Sequence, residues 1–330
     1  MKKVICIILT LVMALSVLAS CGGSKGTSDS DEKKTFKVAV VQQLDHISLD
    51  EIRNAIEAEL DARAEKDGFE LEYKDFNGQN DASVLNQIGA QVVSDEYDLV
   101  IPIATLAATC MATAVEDTDI PVVYAAISDP AEAKLTGLDN VTGTSDALNT
   151  EFFLSMITAV DPNIKTVGLL YSNSEVNSAT PIAQMKEYLE AKGIGYIEKT
   201  GNTSDEIITA ANALVGECDA VFTPTDNVVM ATEGAVAEIL NAAGIPHYAG
   251  ADSFVKLGAL ATCGVNYTDL GTYTADMAVD ILLGGEVPEF HVMDGGIITV
   301  NTDAAKTLNA DVSVFDDMAG EVIEVTTGAE

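Results

Sequence analysis

Basic side chains are scarce in this 330-residue chain: 17 Lys and Arg stand against 52 Asp and Glu, a formal net charge of -35 at pH 7. A surface of that sign repels phosphates, which excludes nucleic acid and an anionic membrane patch as partners and favours solubility. Cysteine is scarce too. Beyond Cys6 and Cys21, only Cys110, Cys218 and Cys263 remain, far apart and without a Cys-x-x-Cys pair, so they read as small buried hydrophobes. An exported chain would still permit one disulfide among them and leave at least one thiol unpaired. His46, His247 and His291 share no spacing with cysteines or carboxylates that would gather a metal, so no zinc site is expected. The chain also lacks a Gly-x-Ser-x-Gly elbow, a phosphate-binding loop and a dinucleotide fingerprint after its first strand. Neither a cofactor nor a catalytic constellation is therefore expected. The strongest enzyme reading, Asp45 and His46 as an acid-base pair, has no nucleophile or electrophile to work with.

One long apolar run stands at the start. Lys2 and Lys3 precede Val4 to Leu18, and the run ends in Leu18-Ala19-Ser20-Cys21. It is too short to span a bilayer and has the order of a bacterial lipoprotein signal, residues 1–20, after which Cys21 becomes the N-terminus and carries diacylglycerol. Residues 21–35, rich in Gly, Ser, Asp, Glu and Lys, form a flexible tether. No later run is long enough to cross a membrane, so a soluble body is expected on the extracytoplasmic face, held to the membrane through Cys21. That body of about 300 residues suits two domains.

Strands and helices then alternate. Phe36 to Val41 is a β-rich run, and Ser48 with Glu51 reads as a capping box before a helix whose apolar face is Leu49, Ile52, Ile56 and Leu60. Phe69, Leu71 and Tyr73 alternate with charged residues as a half-exposed strand, Asn77-Gly78 turns the chain, and Leu99 to Ala104 is a buried strand. The rhythm continues through Val122 to Ile127, Val167 to Tyr171, Val221 to Thr223 and His247 to Gly250, which predicts an α/β protein with parallel sheets. Two stretches share one order: Asp98-Leu99-Val100, a helix, Ile120-Pro121 and Asp129 parallel Asp219-Ala220-Val221, a helix, Ile245-Pro246 and Asp252. The halves read as copies of one plan, with a hinge near residues 143–148.

In open parallel sheets ligands bind beyond the carboxyl ends of the strands, and here the loops at those ends are polar. They contain Asp45-His46, Asn77, Thr105, Ser128-Asp129, Ser172 to Ser178, Thr225-Asp226-Asn227, Asp252 and Asn266-Tyr267. Two lobes presenting such loops to one another make a cleft.

With those loops in order, the chain resembles the substrate-binding lipoproteins of ABC transporters. The group is the type I periplasmic-binding proteins that include tryptophan and tyrosine transporter components. Asp45-His46 with Leu49-Asp50, Ala104-Thr105, Ser128-Asp129-Pro130, Asn140 to Gly143, Tyr171 to Ser178, Pro224 to Asn227 and Val265 to Gly271 carry the resemblance, which runs from about Lys37 to Asn309. It implies two Rossmann-like lobes joined by a three-crossover hinge, closing over a small ligand and delivering it to a permease and ATPase. The first lobe would hold residues 36–145 with about 268–285, and the second 146–267 with about 286–330. A membrane-anchored sensor would use the same cleft, so transport and sensing remain two readings.

An amino-acid ligand needs an acceptor for its ammonium and donors for its carboxylate. Asp226 and Asp45 are the acceptor candidates, because a cleft carboxylate without a basic neighbour is explained by a cationic ligand; Asp226 and Thr105 equally read as helix caps. Thr105, Ser128, Ser172 and Ser178 offer hydroxyls to the carboxylate, alongside helix N-termini. Asn77, Asp129, Asn177, Thr225, Asn227, Asp252 and Asn266 complete the polar set of the loops. Tyr171 and Tyr267, with Tyr124 and Phe76 nearby, are stacking or core residues, and His46 either bonds the ligand or orders its own loop.

Overall fold

The computed structural model describes residues 34–319 and 322–328. The expected signal, Cys21 and the tether up to residue 33 lie outside the described residues. The first sheet begins at Thr35, which pairs with Glu70.

The chain runs β1 (Thr35–Gln42), α1 (Ile47–Asp67), β2 (Glu70–Asn77), α2 (Ala82–Ser94), β3 (Leu99–Ile103), α3 (Thr105–Ala114), β4 (Val122–Tyr124) and β5 (Val141–Ser145). It continues through α4 (Thr150–Val160), β6 (Thr166–Tyr171), α5 (Val176–Lys192), β7 (Gly195–Thr200), α6 (Ser204–Asn212), β8 (Ala220–Thr223), α7 (Asn227–Met230), α8 (Glu233–Ala242), β9 (His247–Ala249), α9 (Asp252–Lys256) and β10 (Ala261–Gly264). Last come α10 (Tyr267–Leu282), β11 (His291–Val292), β12 (Ile297–Asn301), α11 (Thr302–Leu308) and β13 (Val322–Val325).

Two sheets result, ordered β11-β5-β4-β3-β1-β2 and β13-β12-β10-β9-β8-β6-β7. Among the described residues every strand pairing is parallel except β10 with β12. Central strands are apolar on both faces because helices cover both: Val38 to Val41 and Leu99 to Ile101 are fully buried. In the first lobe α10 packs against α1 so closely that a Cβ on Gly271 would lie 2.6 Å from the Ile52 carbonyl oxygen. Arg63 of α1 fastens the pair by donating to Asp276 at 2.5 Å and Asp280 at 2.7 Å.

The duplicated order noted in the sequence has a structural counterpart. The Asp98 carboxylate accepts the Lys37 N–H at 2.7 Å, and Asp219 accepts the N–H groups of Lys165 and Thr166 at 2.9 Å. In each lobe the Asp before a central strand thus ties down the start of the preceding one.

Three segments cross between the sheets: β5 to α4, β10 to α10 and β11 to β12. Two expectations need correction. Residues from 286 onward were assigned to the second lobe, yet β11 pairs with β5 and the Met293 N–H bonds the Ser145 carbonyl at 2.9 Å, covering the edge of the first sheet before the last crossover. The expected Ser48-Glu51 capping box does not form either. His46 is the N-cap of α1, its Nδ1 accepting from the Leu49 N–H at 3.5 Å, and Ser48 is buried inside the first turn.

Candidate functional site

Ends of β1, β3 and β4 face ends of β8 and β9 across a narrow cleft whose cavity volume is about 20 Å³, so the lobes are nearly shut on each other and must part to admit a small molecule. Eight of the residues expected at a ligand site line it: His46, Thr105, Ser128, Asn177, Thr225, Asp226, Asn227 and Tyr267. The rest of the wall is Ser48, Leu49, Ala104, Ala126, Asp146, Met230 and Phe254.

The lobes meet through side-chain hydrogen bonds around this space. Ser48 Oγ lies 2.5 Å from Ser253 Oγ, Ser128 Oγ 2.9 Å from Thr225 Oγ1, and His46 Nε2 3.0 Å from Asn227 Oδ1. Gln43 Nε2 donates to Glu175 Oε1 at 3.0 Å, and Thr180 Oγ1 to Asp129 Oδ2 at 2.7 Å. Asp129 is therefore a lobe-bridging residue away from the cavity wall.

The two buried carboxylates on the wall differ in their donors. Asp226, the N-cap of α7, accepts from the N–H groups of Val228 and Val229 on Oδ1 at 3.1 and 3.0 Å, and from Ser172 N–H and Ser178 Oγ on Oδ2 at 2.7 Å each. Its acceptor capacity of about four sites is used up, so it organises the loops of the second lobe and has no lone pair left for an ammonium. The Ser178 hydroxyl, expected as a ligand donor, is spent on this same task, and the Ser172 hydroxyl donates to Asn202 Oδ1 at 3.2 Å and lies 2.7 Å from Ser174 Oγ. Asp146, at the first crossover, is also buried but among the described residues accepts from two side chains, Ser128 Oγ at 2.9 Å and Tyr267 Oη at 3.1 Å, with its own backbone N–H adding to them. Burial pushes its pKa up against the pull of those bonds, and among the described residues no lysine or arginine lines the cavity. A buried carboxylate in that state gains most from a cation brought by a ligand. Asn177 adds a second open acceptor: its Nδ2 donates to the Thr225 carbonyl at 2.6 Å, which fixes the amide orientation, and its buried Oδ1 has no partner among the described residues.

Opposite these acceptors α3 starts without a side-chain cap. Ala104, at its N-cap, has φ 74° and ψ 163°, a region almost reserved for glycine, and Ala126 just after β4 has φ 59°. The Ala104 N–H to Ala125 carbonyl bond of 3.1 Å holds the strained turn, and Gln43 Oε1 takes the Leu106 N–H at 2.9 Å. The first turn of α3, with Thr105, is left facing the cavity as a positive dipole end.

The remaining expected residues lie elsewhere. Asp45 is exposed and accepts from Asn77 Nδ2 at 2.5 Å, so it orders the β1 and β2 ends and is no ammonium acceptor. Tyr171 donates to Glu198 at 2.7 Å on the outer edge of the second sheet. Asp252 pairs with Lys256 at 2.9 Å, and Asn266 caps α10 by accepting the Asp269 N–H at 2.9 Å.

Residues 37–321 match the family model described as ABC transporter substrate binding protein. The chain belongs to this family. The tyrosine-binding protein of Clostridioides difficile strain R20291 is 32% identical over 321 residues, covering 93% of this chain and 92% of that one. Among solved structures, the ABC domain in complex with L-Trp from Streptococcus pneumonia is 32% identical with a TM-score of 0.81, covering 88% of this chain and 100% of that chain. The ligand-free, open structure of a substrate-binding protein with adhesive properties from Clostridium difficile is 33% identical, covering 88% and 99%, but its TM-score is 0.67. At nearly the same identity, 32% and 33%, the lower score goes with the open relative, in keeping with lobes that are in contact here. As a substrate-binding protein of an ABC transporter, the chain is not an enzyme, and its α/β fold is that of type I periplasmic-binding proteins.

For this binding protein the sequence named eight of the residues that line the cleft but missed Asp146, because the segment after Gly143 reads as hinge. The available signal was an Asp directly after the Val141-Thr142-Gly143-Thr144-Ser145 run, at the same carboxyl-end position as the other loops. Phe254 and Met230 sit inside short helices and carry no sequence signal that separates them from core.

Proposed function

We propose that the chain captures an aromatic amino acid, tyrosine or tryptophan, between its lobes and delivers it to the permease and ATPase of an ABC importer. In this reading lipidated Cys21 holds it at the extracytoplasmic face of the membrane. The observation that carries the ligand reading is Asp146: a buried carboxylate with spare lone pairs beside an open Asn177 acceptor, in a cavity without a wall cation among the described residues. The ligand's ammonium sits against those two groups. Its carboxylate meets the start of α3 and the Thr105 hydroxyl. Its ring lies among Leu49, Met230, Phe254 and Tyr267, whose apolar surfaces suit a flat side chain. Relatives that bind tyrosine and tryptophan, each about a third identical to this chain, support the choice of ligand.

Calorimetric titration with L-tyrosine, L-tryptophan and L-leucine tests the ligand. Tight binding of an aromatic amino acid with weak or no binding of leucine is expected, and equal binding of all three would contradict it. The anchor is tested separately by labelled-lipid incorporation, which Cys21→Ser abolishes if the lipoprotein reading holds; unchanged labelling would refute it.

A further inference from the structure

One hydrogen-bonded chain passes from the first lobe to the second and back. His46 Nδ1 accepts the Leu49 N–H, so the imidazole is neutral and its Nε2–H donates to Asn227 Oδ1 at 3.0 Å. Asn227 Nδ2 then donates to Glu175 Oε2 at 2.6 Å, and Glu175 Oε1 accepts from Gln43 Nε2 at 3.0 Å. Gln43 cannot turn over, because its Oε1 holds the Leu106 N–H at 2.9 Å and its other amide hydrogen goes to Asn80 Oδ1 at 2.8 Å. Every direction in the circuit is thereby set.

The charged groups around the circuit are acidic. Asp226 stands beside Glu175 in the second lobe, and from the first lobe Asp45 and Asp50 approach His46. Of the two adjacent buried carboxylates, Asp226 holds four donors at 2.7 to 3.1 Å, three of them main-chain N–H groups. Glu175 takes its closest bonds from the side-chain amides of Gln43 and Asn227, with Asn177 and the Asn227 N–H adding to them, so Glu175 is the one for which neutrality costs less.

We propose that Glu175 is a positioning residue that makes lobe closure a balanced proton exchange, one proton leaving His46 as one arrives at Glu175. The proposal rests on the reading that the lobes close over an amino acid. In the open state both groups meet water and are charged near pH 6. On closing, the imidazolium Nδ1–H bond breaks and its proton goes to solvent, the freed lone pair accepts the Leu49 N–H, and the Glu175 carboxylate takes a proton from solvent. Net charge is unchanged and no unpaired ion is buried. The environments agree with this: burial lowers the His46 pKa against the pull of Asn227, while burial and the neighbouring Asp226 push Glu175 up to about 7. Glu175 touches no ligand in this scheme; it holds Asn227 against the cavity and clamps Gln43.

The test is calorimetry of the full chain in detergent with L-tryptophan at pH 6.0, in two buffers of different ionisation enthalpy. With ordinary open-state values, His46 releases about three-quarters of a proton on closing and Glu175 takes up about nine-tenths, so the wild type exchanges roughly 0.2 proton or less. Glu175→Gln exposes the release of about three-quarters, and His46→Asn, which keeps a capping side chain, exposes the uptake of about nine-tenths. Equal proton counts in wild type and Glu175→Gln would overturn the proposal while leaving the ligand reading intact. Absence of heat with both tryptophan and tyrosine would instead overturn the ligand reading. Nitrogen-15 histidine spectra of the tryptophan-saturated chain then check the closed state: a His46 that stays neutral well below pH 6.5 supports the exchange, and one that still titrates near 6.5 overturns it.

Discussion

The Tyr267 phenol donates to Oδ2 of Asp146 at 3.1 Å, tying the chain as it enters α10 to the chain as it leaves β5. The bond joins two of the three crossovers at the cavity wall. Burial and the adjacent carboxylate hold the phenol protonated, so it stays a donor at any physiological pH. Tyr267→Phe removes one of the two side-chain donors to a buried carboxylate, which costs about 1–3 kcal/mol in denaturant unfolding and weakens tryptophan binding roughly tenfold. Unchanged stability and unchanged affinity would together show that the bond is idle.

The two buried aspartates of the wall separate by their effects. Asp226→Ala strips four hydrogen bonds of their acceptor and lowers unfolding stability by about 3 kcal/mol or more. Asp146→Asn keeps shape and fold but loses the charge, and binding of an amino acid drops by about tenfold to a hundredfold. A stable Asp226→Ala that no longer binds, beside an Asp146→Asn that binds normally, would reverse the assignment made here.

That assignment marks how far the sequence reaches. Parallel strands were legible because runs such as Leu99 to Ile103 and Val167 to Leu170 are apolar on both faces, and the cleft was legible because polar residues gather after them. Which side chain of each loop points inward was not legible. Asp226 and Asp146 are both aspartates at carboxyl ends of strands, and only the count of donors on each oxygen tells a saturated cap from an open acceptor. Asp45 and Tyr171 failed for a related reason: neighbouring chain segments, Asn77 of β2 and Glu198 of β7, supply their partners, and those pairings are long-range.

Ala104 carries strain of about 1–3 kcal/mol at φ 74°, which glycine would relieve at an unfolded-state cost of roughly 0.4–1 kcal/mol. Ala104→Gly therefore raises unfolding stability slightly, by about 1 kcal/mol, and loosens the start of α3, so that amino-acid affinity falls. Circular dichroism melts and calorimetry on the same samples check both signs; a less stable variant would mean that the turn is not strained.

Glu175 gives a pH signature in stability. Its folded pKa, raised to about 7, lies above its unfolded value, so its contribution is full below about pH 4.5 and is lost as pH rises to about 7. His46 has a lowered folded pKa and acts in the opposite sense, gaining stability as pH rises toward about 6.5. The stability of wild type minus that of Glu175→Gln isolates the first effect. It falls by up to about 1.4 kcal/mol per pH unit between pH 5 and 7, whereas a flat difference would show Glu175 ionised throughout.

The ammonium site is tested most directly by titrating wild type and Asp146→Asn with L-tryptophan and with indole-3-propionate, which keeps ring and carboxylate but has no amine. The account predicts that wild type binds tryptophan about tenfold to a hundredfold more tightly than indole-3-propionate, and that Asp146→Asn erases most of this preference by losing tryptophan alone. An equal loss of both ligands in Asp146→Asn, or a preference for tryptophan that survives the substitution, would contradict it.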